Sequence, residues 1–457
     1  MKRFTFLLAI IILVLCACTR RTDLYRVQED GLYGFINESG EVMISPQYKY
    51  VGGFTKDGYA CVVSDISFEE DSSLFGIGII DSIVVVSYGY INRNNDLVVD
   101  TNNVIRFSIS RANGIWVMGN AVDFAHQYVD DRLGFNATSL QELDFNDGLY
   151  LFQDRESNLF GYKDIKGKIK IEAKFEWGHS FSNGVAVVRE IKVLDLDKDF
   201  DITGAFNSCG VIDKSGNVIF SGYTIIHDYG KNGLTWAQAT NITMETYEFK
   251  RDWVQIDKQG NIKIGPVPGV AWVYNNDDFP VCVINLGELG DYYTFIDEKG
   301  EFLSDFNNDK EVGLNFTGGK RDEIFENVTR FGNGAAGIKG YDCDGESVWY
   351  FVDRDFNIIS ELYDSVLCFD NGYAAVKERV TGHLKHAGNW GYAKIDEANY
   401  TINQVIPCKY SECGRFRREL AYFKKNGATF DVEGLINKQG NVVWQTKRLH
   451  NRWFSRE

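Results

Sequence analysis

Tyr33-Gly34-Phe35-Ile36-Asn37-Glu38-Ser39-Gly40-Glu41-Val42-Met43-Ile44 is the first clear copy of a phrase that recurs to the end of the chain. It runs aromatic, glycine, alternating apolar residues, a polar turn ending in glycine, then a second apolar run. Alternation in short runs rich in Val, Ile, Phe, Tyr and Trp reads as β-strand. The polar stretch between the runs, as in Asp213-Lys214-Ser215-Gly216-Asn217 or Asp257-Lys258-Gln259-Gly260-Asn261, opens on Asp or Asn and carries Gly three residues later. That order suits a type I turn closed by a left-handed residue, so the phrase is a β-hairpin.

The copies align on the slot filled by Gly34, which recurs at Gly89, Gly161, Gly210, Val254, Thr294, Tyr350, Gly391 and Gly434. From 210 onward the slots lie near 40 to 44 residues apart with one longer interval, which makes about nine units in all. The second half of a unit is clearest from Pro46 to Val63: a corner at Tyr48, a short strand ending in Phe54, a glycine turn at Asp57-Gly58, and a strand with a small residue at its centre. Phe181, Phe331 and Phe369 open parallel stretches, and Ala60, Ala186, Ala336 and Ala374 mark where neighbouring backbones should pack closest. Two turns break the glycine rule. Asn95 tolerates the left-handed conformation, whereas Phe356 would incur about 1–2 kcal/mol there, which predicts a different turn at Phe356.

This arrangement predicts an all-β chain, a tandem array of antiparallel β-hairpin repeats. Four strands per unit suit a propeller-like ring, in which few edges are left open; the alternative is an open β superhelix with capped ends. The ends agree in phase: Asp23 to Gln28 resembles the strand that closes a unit, and Arg448 to Phe454 the corner that opens a second half.

Taken together, these residues resemble the WG-repeat (KWG-repeat) family of bacterial proteins, whose unit runs aromatic-Gly-Phe-Ile-Asp, turn-Gly, Val-Ile-Pro, Tyr, then Phe-x-x-Gly-x-Ala-x-Val. The resemblance covers residues 24–63 and 145–457 of a repeat domain spanning 24–457, with 64–144 degenerate. It implies an all-β repeat fold and a binding role, and it supplies no catalytic residues. Val254, Thr294 and Tyr350 depart from the family's glycine, so those units must pack their first strand differently.

The N-terminus has another character. Lys2 and Arg3 precede the apolar run Phe4 to Leu15, about a dozen residues against the roughly 20 of a membrane-spanning helix, which reads as a secretory signal over 1–17. Leu15-Cys16-Ala17-Cys18 resembles a bacterial lipoprotein box. That resemblance implies an acylated Cys18, a short tether over 18–23, and an extracytoplasmic protein held on a lipid bilayer; the alternative is a plain leader cut nearby.

The formal charge of -16 argues against nucleic acid and anionic lipid surfaces as partners, and no basic run interleaved with aromatics offsets it. Seven cysteines follow Cys18. Cys61 and Cys282 sit in apolar strands and read as core filling, Cys408 and Cys413 are near enough for facing strands, and no spacing suggests zinc.

Asp195-Leu196-Asp197-Lys198-Asp199-Phe200-Asp201 resembles half a calcium loop but lacks the glycine and the closing glutamate, and His383 and His386 lack a third ligand. Neither is read as a metal site, and no cofactor is expected. No nucleophile elbow, phosphate loop or metalloprotease signature occurs, so the chain is not read as an enzyme. Aromatic residues make up 14 % of the chain, and most fill repeat slots. Trp177 and Trp272 lie off-slot and, with Tyr274 and Tyr292, are the candidate ligand contacts. Insertions at 64–87, 119–144 (with a short helix expected around Ser139 to Leu143), 191–206 and 303–325 are the places where function would concentrate. The function expected is a membrane-anchored binding or scaffold module for a protein or cell-envelope ligand, with glycan binding or processing at the surface as the alternative and an inert envelope spacer as a third reading.

Overall fold

Each repeat resolves into strands that pair in chain order, as the alternation requires. A computed structural model of the chain describes residues 23–449 apart from 71–80, 113–114, 119–142, 191–208, 231, 244–247, 268–269, 271, 275–279, 286–290, 298, 300–327, 343, 381–387 and 397–398. The leader and Cys18, the helix expected around Ser139 to Leu143 apart from Leu143 itself, the Asp195–Asp201 loop, His383 and His386 therefore lie outside the described residues.

A complete blade is an antiparallel sheet of four strands in sequence order. Blade 8 comprises Ser365–Val366, Tyr373–Lys377, Trp390–Asp396 and Thr401–Tyr410. Blade 9 comprises Glu412–Cys413, Leu420–Lys425, Phe430–Asn437 and Val442–Leu449, and blade 5 Ile225–Ile226, Leu234–Thr243, Glu248–Asp257 and Ile262–Val267. The described strands fall into nine blades, not all with four strands among the described residues: the first has three, Tyr25–Glu29, Leu32–Ile36 and Val42–Tyr48, the sixth three and the seventh two. In blade 2 the insertion at 64–87 lengthens the two middle strands, Ala60–Glu70 and Asp81–Ile91, which stay paired along their length.

The sequence unit is out of step with the blade. The hairpin around the glycine slot supplies the two outer strands of one blade, while the corner and the alanine strand supply the inner two of the next. The long strand Ile169–Gly178 makes this visible: it pairs with Phe160–Lys163 of blade 3 at one end and, through Trp177 and Gly178, with Val185–Glu190 of blade 4 at the other.

Apolar clusters fill the seams between blades in order around the array. Phe35 meets Val51 and Ala60 between blades 1 and 2, and one continuous cluster then joins blades 2, 3 and 4. The remaining seams follow from blade 4 to blade 9. The last seam joins the ends: Tyr25, Val27 and Ile36 of blade 1 pack with Leu420 of blade 9, and the Glu419 amide donates to the Tyr25 hydroxyl at 3.2 Å. The array is thus a closed, propeller-like ring, and the open superhelix is set aside. Ala60, Ala186, Ala336 and Ala374 are all buried, as their small size suggested.

The slot glycine is explained by a close approach at a bulge. A Cβ on Gly34, Gly89, Gly391 or Gly434 would lie 2.3, 2.4, 2.4 or 2.1 Å from a carbonyl oxygen of the outer strand. Where the slot holds Val254, the glycine has moved to the facing strand: Gly265 has φ +109°, and its added Cβ would meet the Trp253 carbonyl at 2.8 Å. Where it holds Tyr350, the facing segment pairs only through single bridges, Trp349 with Tyr363 and Val352 with Ile358. These are the different packings that the departures implied.

The turn expected to change at Phe356 does not. Phe356 has φ 62°, and its amide donates to the Asp353 carbonyl at 3.1 Å, the same bond that Gly40 makes to Asn37. The left-handed cost is offset because the ring packs in the seam of blades 6 and 7, its centroid 5.8 Å from that of Phe295. Asn95 takes the left-handed conformation as predicted, with φ 66°. Cys61, Cys209, Cys368, Cys408 and Cys413 carry free thiols, and Cys61 fills core.

Candidate functional site: the channel through the ring

The aromatic that ends each inner strand is buried in a seam: Phe145, Phe181, Tyr229, Phe331, Phe369 and Phe416 in blades 3, 4, 5, 7, 8 and 9. Equivalence of these positions is fixed by a single bridge made by the next residue, as in Asn146–Leu149, Ser182–Val185, Gly332–Ala335, Asp370–Tyr373 and Arg417–Leu420. After the bridge comes a tight turn of two left-handed residues, Asp147-Gly148, Asn183-Gly184, Asn333-Gly334 and Asn371-Gly372, the combination that Asp-Gly and Asn-Gly adopt most readily.

These turns also link neighbouring blades. Asp57 Oδ2 accepts the Gly148 amide at 3.0 Å, Asp147 Oδ2 accepts that of Gly184 at 2.7 Å, and Asn333 Oδ1 accepts that of Gly372 at 3.1 Å. Blade 9 departs, with Arg418-Glu419 at the turn, and there Arg418 pairs with Asp23 while Glu419 bonds Tyr25. The turn chemistry of the repeat therefore closes the ring at one face.

Residues from blades 1 to 5, 8 and 9, among them Asp23, Phe54, Asp147, Asn183, Asn371 and Arg418, line a cavity of about 1480 Å³. It lies beside the turns, with Asp57, Asp147, Asn183, Asn371 and Arg418 on its wall. Of the residues that flank these aromatics, Gly53, Thr55, Asp144, Asn146 and Ser182 line this cavity, and the column that precedes the aromatic changes charge along the chain. In blades 3, 4 and 5 the preceding residues are Asp144, Ser180 and Asp228; in blades 7, 8 and 9 they are Arg330, Cys368 and Arg415.

Contacts between neighbours join both arcs. Ser180 Oγ donates to the Asp144 carbonyl at 3.0 Å, and His179 Nδ1 lies 3.1 Å from Asp228 Oδ1. Burial raises the Asp144 carboxyl to about 7 despite the opposing charge of Arg26, and its Oδ1 has no hydrogen-bond partner among the described residues. On the other side, Arg330 Nε and Arg415 Nη1 both donate to Cys368 Sγ, at 3.4 and 3.5 Å. Arg26 Nη1 donates to the Tyr50 hydroxyl at 2.9 Å and to the Val51 carbonyl at 3.0 Å, spanning the place where blade 1 lacks an inner strand among the described residues.

The residues expected to contact ligand lie elsewhere. Trp177 is half-buried in the cluster of blades 2 to 4, its ring centroid 4.9 Å from that of Phe160. Trp272 is half-buried in the seam of blades 5 and 6, against His227 and Trp253. Tyr274 and Tyr292 lie in the strands Trp272–Tyr274 and Asp291–Phe295; their side chains are outside the described residues. The structure does not bring Trp177 and Trp272 together. The channel residues were missed because no single copy marks them. Stacking the copies on the terminal aromatic column would have found them, since the flanking columns are polar and change sign along the chain. Among the described residues no group of three or more His, Cys, Asp and Glu side chains is placed to hold a metal ion.

The ring defines a class: a propeller-like repeat protein whose blades are staggered against its repeats. Four segments, residues 33–65, 160–190, 351–379 and 399–427, match the family model of the WG containing repeat. No curated protein matches the chain. Among solved structures, a eukaryotic initiation factor aligns at 9 % identity and TM-score 0.34 over 84 % of this chain and 96 % of its own. TolB from Acinetobacter baumannii aligns at 9 % and 0.26 over 86 % and 80 %. Dipeptidyl peptidase 4 of Porphyromonas gingivalis aligns at 10 % and 0.37 over 94 % of this chain and 59 % of its own. At such scores the fold rests on the chain's own blades.

Proposed function

We propose that this chain is a non-catalytic binding module, anchored by an acylated Cys18 outside the cytoplasm, which holds a protein or cell-envelope ligand at the channel of its ring. The observation that carries this reading is the division of labour within the repeat. Its aromatics are spent on seams and its Asp/Asn-Gly turns on joining blades, while the columns that flank the aromatics vary from blade to blade, from Asp and Ser to Arg and Cys. A column under packing constraint alone would hold one residue type. Variation confined to an accessible channel is what recognition requires.

The test is capture from solubilised native envelope with the acylated full chain as bait, together with mass spectrometry of its N-terminus. One component retained by the wild-type chain and lost when Asp144 and Asp228 are both changed to Asn supports the reading. Retention unaffected by channel substitutions would remove the channel from it, and an unacylated N-terminus would remove the anchor. A glycan array with the same bait addresses the alternative: binding lost in Trp177→Ala or Trp272→Ala would favour sugar recognition at the ring surface.

A further inference from the structure

We infer that the basic arc of the channel is an oxyanion site, in which Arg26, Arg330, Arg415 and Arg417 hold a phosphate or carboxylate group of the ligand. This deepens the binding reading above and rests on it. The four guanidinium groups come from blades 1, 7 and 9 and are brought to one side of the axis by the repeat register. Arg415 and Arg417 flank the buried Phe416, and both are solvent-exposed. Arg330 occupies the column of Arg415 two blades back, and the two meet on Cys368 Sγ at 3.4 and 3.5 Å.

What they meet is a sulfur atom, a weaker acceptor than a carboxylate oxygen. One sulfur atom shared between two guanidinium groups leaves most of their donor capacity unspent. The nearest counter-charge is Asp370, 3.7 Å from Arg330, and Arg417 has no carboxylate within salt-bridge distance among the described residues. Crowding by protein, then the like charges of Arg26 and Arg415, lower the Arg417 guanidinium from its ordinary value. A net-acidic chain that gathers four arginines against only Asp370 at ion-pair distance among the described residues, with Asp144 also acting on Arg26, holds an excess of positive charge at one place. Arginine rather than lysine fits the planar, two-pronged contacts that carboxylate and phosphate oxygens accept. Asn371 and Arg418, the residues that follow Asp370 and Arg417, line the cavity, so the arc lies beside space large enough for such a ligand.

The experiment is calorimetric titration of the full chain with inorganic phosphate and, separately, with citrate, at ionic strength matched by sodium chloride. Either anion should bind saturably. Changing both Arg415 and Arg417 to Gln should weaken that binding by roughly tenfold or more, the scale of lost charge-assisted hydrogen bonds, while Arg155→Gln, on a distant exposed turn, leaves it unchanged. Which anion binds separates a phosphoryl from a carboxyl ligand. In chloride alone the double variant should melt no lower than wild type, because like charges have been removed; should it fail to fold, Arg330→Gln carries the same titration. No saturable binding of either anion, or binding undiminished in the variants, overturns the site. Because the titration needs no envelope partner, its failure is distinguishable from an empty capture experiment.

Discussion

Single residues in this ring are judged by the seam they enter rather than by local preference. Phe356 shows the balance: left-handed backbone at a bulky residue costs about 1–2 kcal/mol, yet the turn is kept because the ring packs against Phe295 and Phe331. Phe356→Gly should therefore destabilise the protein by about 1 kcal/mol, the lost packing of a half-buried ring exceeding the relief of the backbone. Urea unfolding of the two chains measures this. A more stable glycine variant would mean that the aromatic contacts contribute nothing. The sequence showed the strain at this position and hid its compensation, since Phe295 lies far away along the chain.

At the scale of the strand, the repeat asks for one close backbone approach per blade and is indifferent to which strand supplies the glycine. In blade 5 that glycine is Gly265, facing Val254. Gly265→Ala should cost about 1–3 kcal/mol from overpacking, and Val254→Gly in the same chain should restore part of it, with a coupling of about 0.5 kcal/mol or more. Additive effects in a double-mutant cycle would refute the exchange. The strands, their turns and the approximate unit count were legible because alternation and turn chemistry are local signals. The blade boundary was not, because it depends on the long strand Ile169–Gly178 serving two sheets at once, a relation that no periodicity records. The channel columns were hidden for a related reason: they acquire meaning only when the copies are arranged in a circle.

For the whole molecule, closure is the property that distinguishes the ring from a stack. Val27 is 4 % exposed in the seam between the first and last blades. Val27→Asp buries a charge there and should lower the melting temperature while speeding hydrogen exchange in both Tyr25–Glu29 and Leu420–Lys425, ahead of the strands of blades 3 and 4. Faster exchange in blade 1 alone would indicate an open array. Asp23 adds a consequence of a different kind. It lies on the cavity wall beside Arg418, so the chain preceding it sets out from the rim of the channel. With the acyl group proposed on Cys18, five peptide bonds separate the anchor from that rim, a reach of no more than about 20 Å at full extension. The tether would then act as a short leash: it would fix which end of the bore looks toward the bilayer, and a ligand entering by that mouth would have to come from the membrane side or be small enough to slip beneath the ring.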